Sequence, residues 1–399
     1  MIRITSLDEA AEVITAAMAD KKKLGVTAGN SKAALGRQSV YDDVIDASAM
    51  CGIIDYQPEE LVLTLRAGTL MTEVEEVVAS AGQMLPFEVP DLSALLGSGS
   101  TGTIGGVLST NLSGSRRLTA GAARDYLLGF QAVSGRGEFF KSGGKVMKNV
   151  TGYDLSKLIC GSYGTLAIID DVTIKTLPRP ETAISLLFGC NSMAAAVSLI
   201  ASIFATAHEP NAAAILPAPA AHAATIEMDA AFVVVIRLEG IEVSVNDRAA
   251  HLAAVDLGSD EVHRLEAAAS ALLWQQIRDV TLLPTQERAI WRISVAPAQS
   301  PAILDQIGAR FDIDYFADWA GGLVWLSASG DASFATALRG AIESHGGGYA
   351  QRIIDRRSGF DDLPPFHPLS PTHLALHQRV KAAFDPLAVL NYGRMHAGL

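Results

Sequence analysis

Residues 97–114 read GSGSTGTIGGVLSTNLSG, and residues 143–180 read GGKVMKNVTGYDLSKLICGSYGTLAIIDDVTIKTLPRP. Glycine, serine and threonine crowd here between short apolar segments of β character. Gly97, Gly99, Gly102, Gly105, Gly106, Gly161 and Gly164 leave backbone N–H groups uncovered by any Cβ. Such loops approach a phosphate closely and donate amides and hydroxyls to its oxygens. The pattern predicts a bound nucleotide cofactor. The string Gly97-Ser98-Gly99-Ser100-Thr101-Gly102 also spells GxGxxG, but that fingerprint needs a strand just before it and a helix opening within it. Pro86 and Pro90 break the preceding stretch and further turn-type residues follow, which sets a doubly wound dinucleotide fold aside. A single structural turn accounts for one glycine cluster. It does not account for three, at residues 29–31, 102–106 and 161–164, each beside a β segment.

Working outward, a chain of 399 residues exceeds one ordinary core, so two domains are expected. The apolar share is 49%, yet no run approaches the ~18 residues of a membrane span. The longest candidate, residues 230–236, is strand-sized and stops at Arg237. The N-terminal stretch lacks a basic start followed by an apolar block, so no secretory signal is expected. Cys51, Cys160 and Cys190 lie far apart without a CxxC pair, which fits a reducing compartment and argues against an iron–sulfur cluster or structural zinc in this chain. A net charge of −12 disfavours nucleic acid and anionic membrane surfaces as partners. A cytoplasmic globular protein is expected.

Helical spacing over residues 7–18 and 70–81 flanks strand-like runs at 24–26 and 61–65, and residues 172–177 alternate as a strand should. Pro178 and Pro180 mark a boundary. Beyond it, strand-like runs (184–188, 232–238, 291–295, 323–326) alternate with alanine-rich helical ones (193–207, 245–255), which predicts a sheet covered by helices. Residues near Ala218 read as a loop or exposed turn, and a last helix is expected over 372–384. The domain expectation is therefore 1–180, then 181–355, then a C-terminal segment, 356–399, packing back on the first domain.

The segments TIGGVLSTNLSG, KNVTGYDLSKLICGSYGTLAIIDDVTIKTLPRP and the closing NYGRM resemble the FAD-binding domain of the vanillyl-alcohol oxidase/p-cresol methylhydroxylase type, and within it the E-subunit family of bacterial glycolate oxidases. WRISVAP (291–297) and DWAGGLVWL (318–326) share the likeness. The resemblance implies an α+β fold: a two-subdomain FAD-binding domain plus a smaller α+β cap domain. It implies that Thr27, Gly29, Asn30, Ser31 and Lys32 meet the FAD pyrophosphate. Thr101, Gly102, Thr103, Ile104, Gly105, Gly106, Ser109 and Gly114 would wrap the pyrophosphate and flavin side. Gly161, Ser162, Gly164, Thr165, Ile168 and Ile169 would line the flavin, ribityl and adenine region, while Tyr153 and Asp154 would orient their loop. Some relatives hold flavin covalently through His or Cys near these loops. Residues 27–36 contain neither, so FAD is expected to be non-covalent.

Side chains for acid–base chemistry are harder to place, and no catalytic residue is assigned. Oxidising a 2-hydroxy acid wants a base for the hydroxyl proton and a cation for the carboxylate. Arg116, Arg117 and Arg124 are candidates for the cation, set against an ordinary surface or salt-bridge role. His345 precedes Gly346-Gly347-Gly348, and Tyr349 stands where related subunits often carry histidine. His373 and His377 have metal-ligand spacing without a third ligand, so no metal site is expected. Cys160 sits in an apolar run and reads as a small buried hydrophobe. Gly143, Gly144, Lys145 and Lys148 resemble a phosphate clamp without Walker spacing.

The resemblance implies an FAD-binding subunit of a glycolate oxidase complex, oxidising glycolate or a similar small 2-hydroxy acid to the 2-oxo acid. Electrons would pass to a second flavoprotein subunit and an iron–sulfur subunit, and any membrane association would come through those partners. Ala28 and Asn30 depart from the family's run of three glycines before serine, and Ala167 replaces a glycine. Those departures keep a second reading open, a structural or assembly subunit with a degenerate flavin site. A stand-alone FAD-dependent 2-hydroxy-acid dehydrogenase is the third.

Overall fold

Strand registers organise the molecule, a computed structural model that describes residues 1–144, 153–255, 261–329, 332–356 and 363–399. The chain divides into two compact units. The first comprises Met1–Ser113, Gly121–Arg179 and Pro368–Leu399, and the second Gly114–Ala120 with Pro180–His367.

In the first unit, β1 (Ile2–Arg3), β2 (Leu24–Thr27) and β3 (Asp43–Asp46) form a small parallel sheet in the order β1-β3-β2. The helix Leu7–Asp20 covers it with Leu7, Ala10, Ile14 and Ala17, a spacing that puts all four on one face. Ser6 starts that helix by accepting the Glu9 N–H at 3.2 Å. An antiparallel sheet follows, built from β4 (Ile53–Gln57), β5 (Val62–Leu65), β7 (Leu127–Ser134), β8 (Phe139–Gly143) and β9 (Ala167–Lys175) in the order β4-β5-β9-β7-β8. β6 (Gln83–Met84) and β10 (Leu177–Pro178) form a separate two-stranded antiparallel pair. Ile104, Val107 and Leu108 from the helix Ile104–Thr110 pack with Leu63, Val74 and Ile174 into the core beneath it. The sequence reading took that helix for more turn, because two glycines in a first turn are poor helix formers. Thr103 starts it all the same, accepting the Gly106 N–H at 3.3 Å.

The second unit is one antiparallel eight-stranded sheet: β11 (Thr182–Cys190), β12 (Ala212–Pro217), β13 (Phe232–Gly240), β14 (Val262–Leu265), β15 (Ala289–Ser294), β16 (Ile313–Asp318), β17 (Leu323–Ala328) and β18 (Tyr349–Asp355). Their order is β14-β11-β13-β12-β16-β17-β15-β18. Helices including Met193–Phe204, Glu242–Ala254, Ser300–Gly308 and Ala332–Ser344 bury Ile200, Leu252, Ile303 and Leu338 in its core with Trp291. The stretch after Pro217 is not an exposed turn. It forms the helix Ala218–Ala223 with Ala220 and Ala221 buried. Small side chains let that short helix lie close on the sheet, which proline-rich composition conceals.

Residues 114–120 belong to the second unit although they follow directly on the helix Ile104–Thr110. Gly114 offers its carbonyl to Trp319 Nε1–H at 3.0 Å, Ser115 donates to Asp318 at 2.8 Å, and Arg116 pairs with Glu239 at 2.7 Å. The C-terminal helix Pro371–Phe384 starts at Ser370, whose hydroxyl accepts the His373 N–H.

Candidate functional site

A cavity of about 370 Å³ opens within the first unit where β2 ends. Thr27, Gly29, Asn30, Ser31 and Lys32 line one wall. Thr103, Gly105, Gly106 and Ser109 line a second, and Gly164, Ile168 and Ile169 a third. The three glycine clusters, separated by some 130 residues of sequence (29 to 164), thus face one space.

The first loop is shaped to bind an anion. Asn30 holds a left-handed backbone (φ 53°), a conformation asparagine tolerates better than most residues, and Thr27 Oγ1 donates to its side-chain oxygen at 3.3 Å. Among the described residues no protein acceptor takes the N–H groups of Gly29, Asn30, Ser31 or Lys32. Four successive uncommitted amides around a left-handed residue make a concave donor set. Lys32 adds a cation, its ammonium 3.4 Å from Ser31 Oγ, and among the described residues no carboxylate lies within salt-bridge distance of it. Burial holds that ammonium below the usual lysine value, with the Asp91 charge opposing the shift. A half-buried lysine beside free amides is electrostatically incomplete until an anion arrives.

The second loop plays a different part. Its leading amides are already committed: Ile104 N–H donates to Thr69 O at 3.0 Å and Gly105 N–H to Ala67 O at 2.8 Å. Ala67 N–H in turn donates to the buried Asp170 carboxylate at 3.0 Å, which also binds Arg66. The loop is therefore a braced wall, and its glycines are there for space. Gly102 (φ 93°) lies so close to the first loop that a Cβ would overlap Ser31 Oγ and sit 3.0 Å from Lys32 Nζ. A Cβ on Gly29 would meet Thr103 Cγ2 at 3.2 Å and Gly102 Cα at 3.3 Å.

Several expected residues do not reach the cavity. Thr101, Gly102 and Ile104 stand behind the lining, and Gly114 lies in the second unit under Trp319. Gly161, Ser162 and Thr165 face inward and build a turn: Gly161 N–H donates to Leu108 O, and Thr165 Oγ1 to Ser162 O at 2.7 Å. That turn presents Tyr163 and Gly164 instead. Tyr153 is 89% exposed, and Asp154 caps the helix Leu155–Ile159 by accepting the Lys157 N–H. Lys145, Lys148 and the residues to Gly152 lie outside the described residues.

The sequence reading missed Arg37, Tyr163, Asn391 and Arg394, all of which line the cavity. Asn391 is 2% exposed; its side chain accepts the Val26 N–H at 2.9 Å and donates to Tyr163 O at 2.8 Å. Arg394 donates to Lys32 O at 3.0 Å. The signal was available in NYGRM, but its contacts lie more than 200 residues away in sequence. With Lys32, the two arginines give a cationic cavity in a chain of net charge −12.

The other candidates have structural partners. Arg117 stacks on Trp319 at 4.7 Å and Arg124 approaches Asp125. His345 Nδ1 lies 2.8 Å from Ala341 O within its own helix turn. Among the described residues no group of three His, Cys, Asp or Glu is placed to hold a metal. Burial pushes the Cys160 thiol up to about 12, the behaviour of a core residue.

The donor set fits a diphosphate: amides and cations on one wall, and glycine–glycine contact between loops that leaves no room for side chains. A family model described as an FAD binding domain matches residues 1–143. The fold matches 4-ethylphenol oxidase from Gulosibacter chungangensis with a TM-score of 0.68 over 99% of this chain and 88% of that one, at 13% identity. An alkyldihydroxyacetonephosphate synthase matches at 0.67 over 97% and 75%, at 16% identity. The fold is thus that of the FAD-binding flavoproteins of the vanillyl-alcohol oxidase/p-cresol methylhydroxylase type. Glycolate oxidase subunit GlcE of Escherichia coli K12 is 35% identical over 97% of both chains, and the protein belongs to that subunit family. Glycolate oxidase subunit GlcD of Bacillus subtilis is 28% identical, covering 86% of this chain and 77% of its own.

Proposed function

We propose that this chain is the FAD-holding subunit of a glycolate oxidase complex, in which glycolate or a similar 2-hydroxy acid is oxidised to the 2-oxo acid. The full-length likeness to GlcE carries the reading. Bound FAD supplies the two-electron acceptor for such an oxidation. The chain's own residues supply binding: the amides of residues 29–32 and Lys32 receive the diphosphate, Arg37 and Arg394 add positive charge, and Gly105, Gly106 and Gly164 leave space beside them. The departures at Ala28 and Ala167 cost no backbone strain, since neither residue has a left-handed conformation, and Asn30 adopts the one that is required. That favours a working site over a degenerate one.

Substrate oxidation is assigned to the assembled complex, with a second flavoprotein subunit and an iron–sulfur subunit taking the electrons onward. No helix among the described residues is long and apolar enough to cross a membrane. The test is to purify the chain alone and with its flavoprotein partner, record the flavin spectrum, extract the flavin with acid, and assay glycolate-dependent dye reduction. Extractable FAD on the single chain with turnover only in the complex is the expected result. A colourless chain that cannot be reconstituted points to the assembly-subunit reading, and glycolate turnover by the chain alone to the stand-alone dehydrogenase.

A further inference from the structure

The residue that fastens the cofactor loops together does not touch the cavity. Lys381, on the helix Pro371–Phe384, is buried, with a side chain 9% exposed. Its ammonium has three hydrogens and the structure uses all three: Thr165 O at 2.6 Å, Asp385 Oδ2 at 2.8 Å and Leu390 O at 2.9 Å. Asp385, 1% exposed, also accepts the Val389 and Leu390 N–H groups, each at 2.8 Å. The carboxylate presses on Gly135, where a Cβ would overlap it. Thr165 belongs to the turn that presents Tyr163 and Gly164 to the cavity. Leu390 precedes Asn391, which ties the end of β2 to Tyr163, and Arg394 three residues on holds Lys32. One buried cation thus connects the third loop to the tail that braces the first.

We propose that Lys381 is a positioning residue of the FAD site, setting the spacing of the first and third cofactor loops through the C-terminal tail; the proposal rests on the FAD reading above. Its placement goes beyond helix stability. Asp385 has backbone donors of its own, and two of the three ammonium hydrogens go to carbonyls of different segments, at Thr165 and Leu390. Burying an ammonium is expensive, and the geometry directs it to join chain segments 216 residues apart. Conversely, FAD that orders the loops must order the tail by the same free energy.

The test uses the full chain. Lys381→Met and Lys381→Gln are compared with the natural protein in FAD titrations followed by flavin fluorescence, visible circular dichroism of the bound flavin, and thermal midpoints without FAD. Expected is a rise of about tenfold or more in the FAD Kd for Lys381→Met, an intermediate value for Lys381→Gln, and an altered dichroic band. A lower midpoint with FAD affinity and dichroism unchanged overturns the proposal. Should neither variant fold, hydrogen exchange on the natural protein decides. FAD must slow exchange at Asp385 and Val389, whose N–H groups donate to Lys381 O and Asp385 Oδ1. Slowing confined to residues 29–32 overturns it. If the natural protein binds no FAD, the FAD reading fails and this proposal falls with it.

Discussion

Substituting Gly102 by alanine separates two uses of glycine in one motif. Gly102 has φ 93°, where an L side chain is strained, and its Cβ would overlap Ser31 Oγ and crowd Lys32 Nζ at 3.0 Å. The backbone term is ~1–2 kcal/mol, and displacing the 9%-exposed Ser31 brings the total to about 2–3 kcal/mol. At roughly 2–4 °C per kcal/mol for a unit of this size, the FAD-free midpoint falls by about 4–12 °C. Ser31 and Lys32 both move, and losing one charge-assisted contact weakens FAD binding by roughly 10- to 100-fold. Gly106 is the control. It lies in the helix Ile104–Thr110 without a positive φ, and the nearest atom to its added Cβ, outside its own helix backbone, is Thr103 Oγ1 at 3.5 Å. Gly106→Ala therefore raises the FAD-free midpoint, by the ~0.5–1 kcal/mol that alanine gains in a helix. It nevertheless weakens FAD binding, since Gly106 lines the cavity. Differential scanning fluorimetry without FAD and flavin fluorescence titration read the two effects separately. Equal midpoints for the two variants would refute the close loop-to-loop packing from which the numbers come.

Burial sets the Lys32 ammonium below 10.5, and a diphosphate beside it would favour the charged form, so FAD binding takes up a proton only at the alkaline pH where the free ammonium has begun to titrate. FAD affinity is therefore full below the pKa of the FAD-free protein and falls as pH rises through it; Lys32→Met flattens that limb in titrations at alkaline pH. Burial, then His377 and Arg37, lowers His396 from 6.5 to about 4, so the unfolded chain takes the proton first on acidification. Its contribution to stability is whole above pH 6.5 and is lost as pH falls toward about 4, and His396→Leu is expected to reduce the acid dependence of the thermal midpoint. In the second unit Glu239, 6% exposed, lies between Arg116 (2.7 Å) and Arg237 (3.1 Å). Glu239→Gln leaves buried guanidinium charge uncompensated and costs about 3–5 kcal/mol, read as an early unfolding transition; an unchanged denaturation curve would count against the pairing.

Part of the strand and helix pattern was legible, where a period and a boundary residue coincide; β12, β14, β16, β18 and the helices Ser300–Gly308 and Ala332–Ser344 were not. Leu7, Ala10, Ile14 and Ala17 follow a helical spacing after Ser6, and the apolar runs at 184–188, 232–238, 291–295 and 323–326 fall on β11, β13, β15 and β17. The helix Ile104–Thr110 was not legible, since tertiary bonds from Thr69 and Ala67 to its first amides outweigh the low propensity of Gly105 and Gly106. Those same bonds were invisible when amides in glycine-rich loops were all counted as free for a ligand. Free and committed amides look identical in a sequence.

That difference reorders the site. All three glycine clusters read as loops of uncovered amides, whereas the structure gives them three tasks. The first donates, through residues 29–32 and Lys32. The second is braced from behind and gives space, so that Gly102 can lie against Ser31. The third turns Tyr163 and Gly164 inward and is held at Thr165 by a lysine from the far end of the chain. A loop whose amides are free must be rigid by other means, because four unpaired donors next to a cation supply no cohesion of their own. Here the rigidity comes from Asn391 at Val26 and Arg394 at Lys32 O. The closing residues NYGRM are therefore part of the same cavity as TAGNSK, one bracing the amides that the other leaves open.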